Sequence, residues 1–590
     1  MLDSSKDSGE NPTSSGLKGL KTQRREGIAG LDAAGLDATG LDATGLDAAG
    51  RNPAGGNPAA LTFLILTFAA CGMAGLLALL PAAGHDQMWL LYAARLMLHG
   101  AHIYGPEIFE TNPPMILWLS MLPSAAAGWL HIPDTAMGKL FVVALECLVG
   151  LVCLRLVRAL RTSFAEGGLG RTLPYTLAFV LVTLFAVMPA RDFGQRDHLL
   201  VLLCLPYVFA AAVDVEGRPP ARWAGVAIGM AALAGIAMKP HQALIPIAVE
   251  TTLLFLRFKQ YGRSAALSLL RPELVALVGS GVAFLLAVHF AAPNYFAQVV
   301  PLVRDTYWAF GQWGFGHLVL ESVQLHVLAA ITLGVFLAQG WARGRAEGWC
   351  RPPALTCLLM AAGVASLLAF YLQGTGWYYQ QIPSLTFFAL ALCFLAIQWA
   401  ERRRLTMPRW APKAAAGLSV LALGLTAHFM GYPFTAARSF PIDVPDPSFF
   451  VGLASGTAVT TLSTTVDYIM PPIYKYDLTL GQRSPQLWML PAILRSEDPQ
   501  GGRLKRHFSA ARVAELDAFQ HAAMREDFAR WRPRLVLVER CQDPAVHCQV
   551  LEDRHDDLLG WFLRDAGFRA EFAGYRYWKS VGAFDGYVAR

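Results

Sequence analysis

Between Gly84 and Pro114 the chain reads GHDQMWLLYAARLMLHGAHIYGPEIFETNPP, directly after its first long apolar run. Asp86 falls just past the end of an expected membrane span. A short apolar helix follows, then Tyr104, Glu110 and the rigid Asn112-Pro113-Pro114 turn. An acidic group at a membrane face is disfavoured unless it is solvated or has work to do. There Asp86 could take a proton from an attacking hydroxyl, a step worth roughly 10²- to 10⁴-fold in rate. Its place ahead of Met88–Leu98 equally suits a helix N-cap, and one residue can do both. Glu110 is read as shaping the loop more than reacting.

Chemistry of that kind also calls for cations. Arg191, Arg196, Lys239 and Arg304 stand in short connections on the same expected side of the membrane, where few basic residues are kept. As a set they favour anion binding, above all of a phosphate. Arginine offers a fork of donors matched to phosphate oxygens, and lysine a point charge. Taken singly, each could as well snorkel or pair with a carboxylate. Asp192 and Asp197 either pair with Arg191 and Arg196 or touch substrate. Lys239-Pro240-His241 reads as a plain turn or as part of a site. Trp377, Tyr378 and Tyr379 read as an interfacial aromatic belt or as a stacking surface for sugar or lipid. Tyr92 and Tyr104 are further substrate-binding candidates.

The elements that must hold these groups are membrane helices. Of 590 residues, 54% are hydrophobic and only 16% charged, against about 25% charged in soluble domains. Mean hydropathy is +0.39. Apolar runs able to cross about 30 Å of hydrocarbon are expected at 60–82, 136–158, 173–190, 198–214, 222–238, 241–257, 273–291, 321–340, 353–371, 380–398 and 412–432. Basic clusters such as Arg155/Arg158/Arg161 and Arg402/Arg403/Arg404 fall in every second connection. The positive-inside rule then places them and the N-terminus in the cytoplasm, and the Asp86 loop outside. Residues 113–131 are apolar enough to span, but counting them would invert every later connection. They are therefore expected to be re-entrant or interfacial, which Pro113, Pro114 and Pro123 would suit. The net charge of +6 gives no reason to invoke nucleic acid.

Three domains are expected. Residues 1–59, with GLDAA and GLDAT repeats between Gly30 and Gly50, lack the apolar area to offset their ordering entropy and read as a disordered cytoplasmic tail. No cleaved signal peptide is expected. Residues 60–432 form the membrane part, with a first outer loop at 83–135. Residues 433–590 form a small α/β domain. It holds a helix over 509–531 with Val513, Leu516, Phe519, Met524 and Phe528 available for a buried stripe, a strand over Arg534–Glu539, a helix at 555–566 and strands near 570–578 and 582–589. Its role is open between acceptor positioning and a structural cap. Cys541 and Cys548 lie there and either form a disulfide, if that part is outside the cytosol, or stay free thiols.

The segment HDQMWLLYAARLMLHGAHIYGPEIFETNPPMILWL resembles the first outer loop of GT-C membrane glycosyltransferases. The nearest groups are protein-mannosyltransferase-like and aminoarabinose-transferase-like enzymes that use polyprenyl-phosphate sugars. The pattern that carries it is Asp86, Tyr92/Ala93, Gly100/Tyr104 and Glu110/Pro113/Pro114. RDFGQRDHLL from Arg191, MKPHQ from Met238 and GTGWYYQQIP from Gly374 resemble later outer-face segments. The sequence departs at Gln87, where many relatives carry a second acidic residue, which weakens the case for a carboxylate pair and a metal there. The resemblance implies a polytopic helical bundle of GT-C type, about eleven spans plus the re-entrant or interfacial segment, in a bacterial inner membrane. It implies transfer of a hexose or pentose, with inversion, from a polyprenyl-phosphate-linked donor to a periplasmic glycan, lipid or protein acceptor. No cofactor is required, and a role for a divalent cation stays open. The rival classes are a transporter or lipid-linked-sugar flippase using the same cations, and a non-catalytic scaffold.

Overall fold

The computed structural model describes residues 57–79, 83–160, 172–215, 219–311, 313–346, 353–403, 405–435, 445–497, 508–546, 548, 551 and 554–590. The expected tail, 1–59, lies almost wholly outside them, as does the side chain of Arg191.

The chain is a mainly helical, multi-pass membrane protein. In order, the helices of the membrane part are α1 (Pro58–Ala74), α2 (His85–Leu98), α3 (Pro114–Leu130), α4 (Asp134–Ala159), α5 (Leu173–Val182), α6 (Arg196–Val215), α7 (Arg222–Met238), α8 (Leu244–Tyr261) and α9 (Pro272–Ala291). They continue with α10 (Val300–Thr306), α11 (Phe315–Glu321), α12 (Val323–Ala346), α13 (Ala354–Gln373), α14 (Ile382–Arg402) and α15 (Ala411–Thr435). Among the described residues, seven helices are long and apolar enough to cross a bilayer by themselves. The other expected spans are also helical, but shorter or less apolar: α5 carries on as a π-turn over Thr183–Val187, and α7 has 17 residues. Segment 113–131 forms the single helix α3, with Pro114 in its first turn and Pro123 inside it. It lacks the reversal a re-entrant hairpin needs.

Apolarity alone does not set position in the bundle, because a membrane helix that is apolar all round can face lipid as well as protein: most of α6 is buried, whereas the equally apolar α9 lies at the periphery. Helices α4, α7, α8, α13 and α14 all pack on it. Where α7 passes α9, Gly229 lets the backbones meet: a Cβ there would collide with the carbonyl of Glu273.

The C-terminal unit holds β1 (Ala458–Leu462), α16 (Met470–Lys475), β2 (Thr479–Leu480), α17 (Leu490–Glu497), α18 (Ala510–Trp531), β3 (Leu535–Glu539), α19 (Leu558–Phe562), α20 (Ala566–Phe572), β4 (Tyr575–Val581) and β5 (Phe584–Ala589). Its mixed sheet has the order β2-β1-β3-β5-β4, parallel among the first three and antiparallel beyond. The central β3, LVLVE, is buried along its whole length, as strands covered on both faces are. Leu516, Met524 and Phe528 of α18 are buried, with Val513 and Phe519 packed at the edge of the same core. The helix expected at 555–566 is two, because Asp565 caps a new start by accepting from the Phe568 amide. Cys541 and Cys548 are joined in a disulfide.

This unit is fastened to one face of α2. The Asp467 carboxylate meets His85, the Tyr474 hydroxyl donates to the Met88 carbonyl at 3.1 Å, and the Leu480 amide donates to the Tyr92 hydroxyl at 3.0 Å. Positions 85, 88 and 92 recur at helical spacing on one stripe, so the spacing of the outer-loop motif doubles as a docking face. Tyr92→Phe would strip the buried Leu480 amide of its acceptor. It should cost about 1–3 kcal/mol, read as a lower thermal-denaturation midpoint of the detergent-purified protein at fixed scan rate.

Candidate functional site

The site forms at the N-terminal end of α6, where the most enclosed helix of the bundle begins with Arg196, Asp197 and His198, all buried. A tight turn delivers the chain to that point. Gly194 has φ +78°, and a Cβ there would run into the side chain of Gln87. The Gly194 amide donates to His198 Nδ1 at 2.9 Å, and His198 Nε2 lies 3.4 Å from Glu146 of α4. The turn is thus pinned from below by a buried polar pair.

Two donors from this segment reach Asp86 at the start of α2. Arg196 Nη2 is 3.1 Å from Oδ2, and Gln195 Nε2 donates to the same oxygen at 3.2 Å. Oδ1 instead faces His85, 3.6 Å away. Burial disfavours the charge of Asp86, but His85, Arg196 and Gln195 outweigh it and hold the carboxyl below the usual carboxylate range. Asp86 is therefore ionised at neutral pH, with Oδ2 held by two donors and Oδ1 left to His85. The N-cap alternative has no support here: the cap position is Gly84, and no side chain bonds it.

Asn112 completes the hold on Arg196 by accepting from Nη1. Glu110 accepts from the Trp89 indole, the Thr111 amide and hydroxyl, and both the amide and side chain of Asn112. It shapes the loop around the Asn-Pro-Pro turn. Tyr104, fully buried at φ +58°, donates to the Asn112 carbonyl. Tyr92 and Tyr104 therefore spend their hydroxyls on structure.

Lys239 stands at the C-cap of α7. Its ammonium pairs with Asp197 at 3.1 Å, donates to Gln373 Oε1 at 3.1 Å and sits 5.2 Å from the Tyr379 ring centroid. Burial draws its pKa down against the pull of Asp197, with Arg196 adding to the drop. His241 lies near enough to feel Lys239 and Arg196. Burial and these cations push its pKa down to about 3, and its buried Nε2 has no hydrogen-bond partner among the described residues. Asp192 is buried close to His85 and Tyr378. The Tyr378 hydroxyl donates to the Met188 carbonyl, and Trp377 tilts on Tyr379.

Asp86, Arg196, Lys239, Asp197 and His241 thus form one electrostatically coupled cluster. Arg304 pairs elsewhere: mostly exposed, it bonds Asp305 at 3.0 Å, which in turn takes two hydrogen bonds from Arg512 of α18. Sequence reasoning named Asn112 only as part of its turn and passed over Gln195, His85, Gln373 and Asp467. Gln195 and His85 adjoin residues it flagged; nothing in the sequence links Gln373 or Asp467 to the site. A small, mostly apolar hollow lies beside the cluster, between α2, α3 and α4, lined by Gln87, Leu91, Ile116, Leu119, Phe141 and Gly194. Both oxygens of Asp86 already face cations or donors, a set that does not suit a divalent ion. Among the described residues, the closest His/Cys/Asp/Glu group is Glu539, Cys541 and Cys548, and its sulfurs are joined to each other.

No protein-family description matches the sequence, and no curated protein is similar to it. Among solved structures, the chain is similar to ArnT from Cupriavidus metallidurans bound to undecaprenyl phosphate, at 14% identity and TM-score 0.49, over 89% of this chain and 97% of that one. It is also similar to the archaeal oligosaccharyltransferase AglB from Archaeoglobus fulgidus in complex with an inhibitory peptide and a dolichol-phosphate, at 11% identity and TM-score 0.41, over 90% and 74%.

Gly194→Ala tests the turn. Strain at the positive φ and the clash with Gln87 should together cost on the order of 1–3 kcal/mol and pull Gln195 and Arg196 off Asp86. The measurement is the denaturation midpoint beside transfer activity; an unchanged midpoint would show the turn tolerates a side chain.

Proposed function

We propose that the protein is a membrane glycosyltransferase that moves a sugar from a polyprenyl-phosphate carrier to an acceptor hydroxyl on the outer, periplasmic face. The observation that carries this reading is the placement of an ionised carboxylate, Asp86, against the buried cations Arg196 and Lys239 at the mouth of the helical bundle. Support also comes from the resemblance of the first outer loop to GT-C enzymes that use such donors.

The groups present suit the steps of that reaction. The acceptor oxygen attacks the anomeric carbon as its proton passes to Asp86, on the Oδ1 that Arg196 and Gln195 leave unheld. The bond from the anomeric carbon to the phosphate oxygen breaks on the opposite side, so configuration inverts. The departing phosphate gains negative charge, which Arg196 and Lys239 are placed to meet without reorganisation. His241, uncharged at neutral pH, can hydrogen-bond a sugar or phosphate without adding charge. Arg191 belongs to the proposed phosphate set by sequence, and Asp192, Trp377 and Tyr378 stay candidate substrate contacts.

A specific observation favours the rival, a transporter or flippase: Glu146, and the Tyr207–Glu250–Arg271 cluster, are polar groups buried within the bundle, of the kind that mark transport paths. Turnover in detergent, where no gradient exists, separates the two. Purified protein supplied with synthetic polyprenyl-phosphate sugars and an extract of envelope glycans and lipids should release polyprenyl phosphate.

Asp86→Asn should keep expression and lower that release by at least on the order of 10²-fold; near-normal turnover would exclude Asp86 as the base. Lys239→Ala should raise the donor concentration needed for half-maximal rate, and an unchanged donor dependence would count against phosphate binding there.

A further inference from the structure

His85 stands between two carboxylates that belong to different parts of the chain. Its Nδ1 is in contact with Asp467 Oδ1 of the C-terminal unit, and its Nε2 lies 3.6 Å from Asp86 Oδ1. Asp467 is itself steadied, its second oxygen accepting from the Thr465 hydroxyl at 3.2 Å. The contact is the first of the three that dock residues 467–480 along α2, and it is the one that touches the proposed base.

We propose that His85 is a positioning residue: gripped by Asp467, its ring fixes Oδ1 of Asp86, the oxygen that Arg196 and Gln195 leave unheld, and ties the seating of the C-terminal unit to the basicity of the site. This rests on the reading of Asp86 as the general base. The other oxygen of Asp86 is already held by Arg196 and Gln195, so His85 is the group that sets the direction of the oxygen left to accept a proton. An imidazolium placed there also keeps the base ionised. The charged groups facing His85 are Asp86 on its own helix, Asp467 from the C-terminal unit and Asp192 from the α5–α6 connection, all acidic. Burial works against protonation of the ring, but the three carboxylates raise its pKa to about 9. The arrangement gives the C-terminal unit a role beyond that of a lid. If an acceptor displaces residues around Asp467, the ring loses its anchor and the base changes with it.

The sign of the effect is fixed. Removing the positive charge beside Asp86 destabilises its carboxylate, so its pKa rises and the acid limb of kcat/KM moves to higher pH. The test uses the full-length protein in detergent and release of polyprenyl phosphate from synthetic polyprenyl-phosphate sugars across pH. In His85→Gln the acid limb should move up by on the order of one pH unit, the scale set by one neighbouring charge. Asp467→Asn should move it the same way by less, and the double variant no further than His85→Gln alone, because Asp467 acts through the ring. His85→Lys, which returns a cation, should bring the limb back toward that of the unaltered protein. A docking contact with no influence on Asp86 would lower the denaturation midpoint and leave the limb in place. An unmoved limb in both single variants, with Asp86→Asn inactive, overturns this proposal and leaves the base assignment standing. Near-normal turnover by Asp86→Asn overturns both.

Discussion

The pairing of Arg196 with Asp86 is the constraint around which this end of the helical bundle is arranged. An arginine at the entrance of a helix packed on all sides cannot be left without an anion, because the cost of an uncompensated buried charge is several kcal/mol. Asp86 supplies that anion from a different helix, so α2 is drawn over the end of α6. The Asn-Pro-Pro turn is then fixed in turn, since Asn112 takes the remaining guanidinium contact and Glu110 gathers the amides around it. A loop that reads in sequence as irregular is thereby as determined as a helix.

The same pair explains why charge can be stored here without being neutralised. Arg196 and Lys239 share the acidic groups Asp86 and Asp197, and the ring of Tyr379 faces the lysine. Arg196 and Lys239 each have a counter-charge, while the buried Nε2 of His241 has no hydrogen-bond partner among the described residues. A site balanced in this way meets its desolvation cost before any ligand arrives, and in the proposed reaction a phosphate would meet preplaced donors rather than water. The buried Glu146–His198 pair serves the same end from below, holding the Gly194 turn that aims Gln195 and Arg196.

Much of this was legible in the sequence, for definable reasons. The apolar run at 198–214 marks a helix with Arg196 and Asp197 at its entrance, and Asp86, Tyr92, Tyr104 and Glu110 carry the resemblance that singled out the loop. Local signals of that sort depend only on near neighbours. The segment 113–131 shows the limit of the method: hydropathy separates apolar from polar but not a spanning from an interfacial helix, and three prolines do not impose a reversal when two of them fall at a helix start. Tyr92 and Tyr104 show another limit. A tyrosine in a motif carries the same letters whether its hydroxyl meets a substrate or the Leu480 amide. The strands β1 and β2 escaped notice because each is short: β1 is set by pairing with β3, a partner distant in sequence, and β2 by pairing with β1.

The contact of Asp467 with His85 was invisible for that same reason, and it alters how the C-terminal unit should be regarded. A separate lid would be joined to the bundle by surface that could be exchanged without chemical consequence. Here the join is made through the residue adjoining Asp86, on the stripe of α2 that also carries Met88 and Tyr92. Turning α2 by one residue moves about 100° around its axis, so a helix gripped at 85 presents 86 on a neighbouring face, toward Arg196. Docking the C-terminal unit and aiming the carboxylate are therefore one geometric event: a helix cannot be clamped on one stripe without fixing the direction of the next.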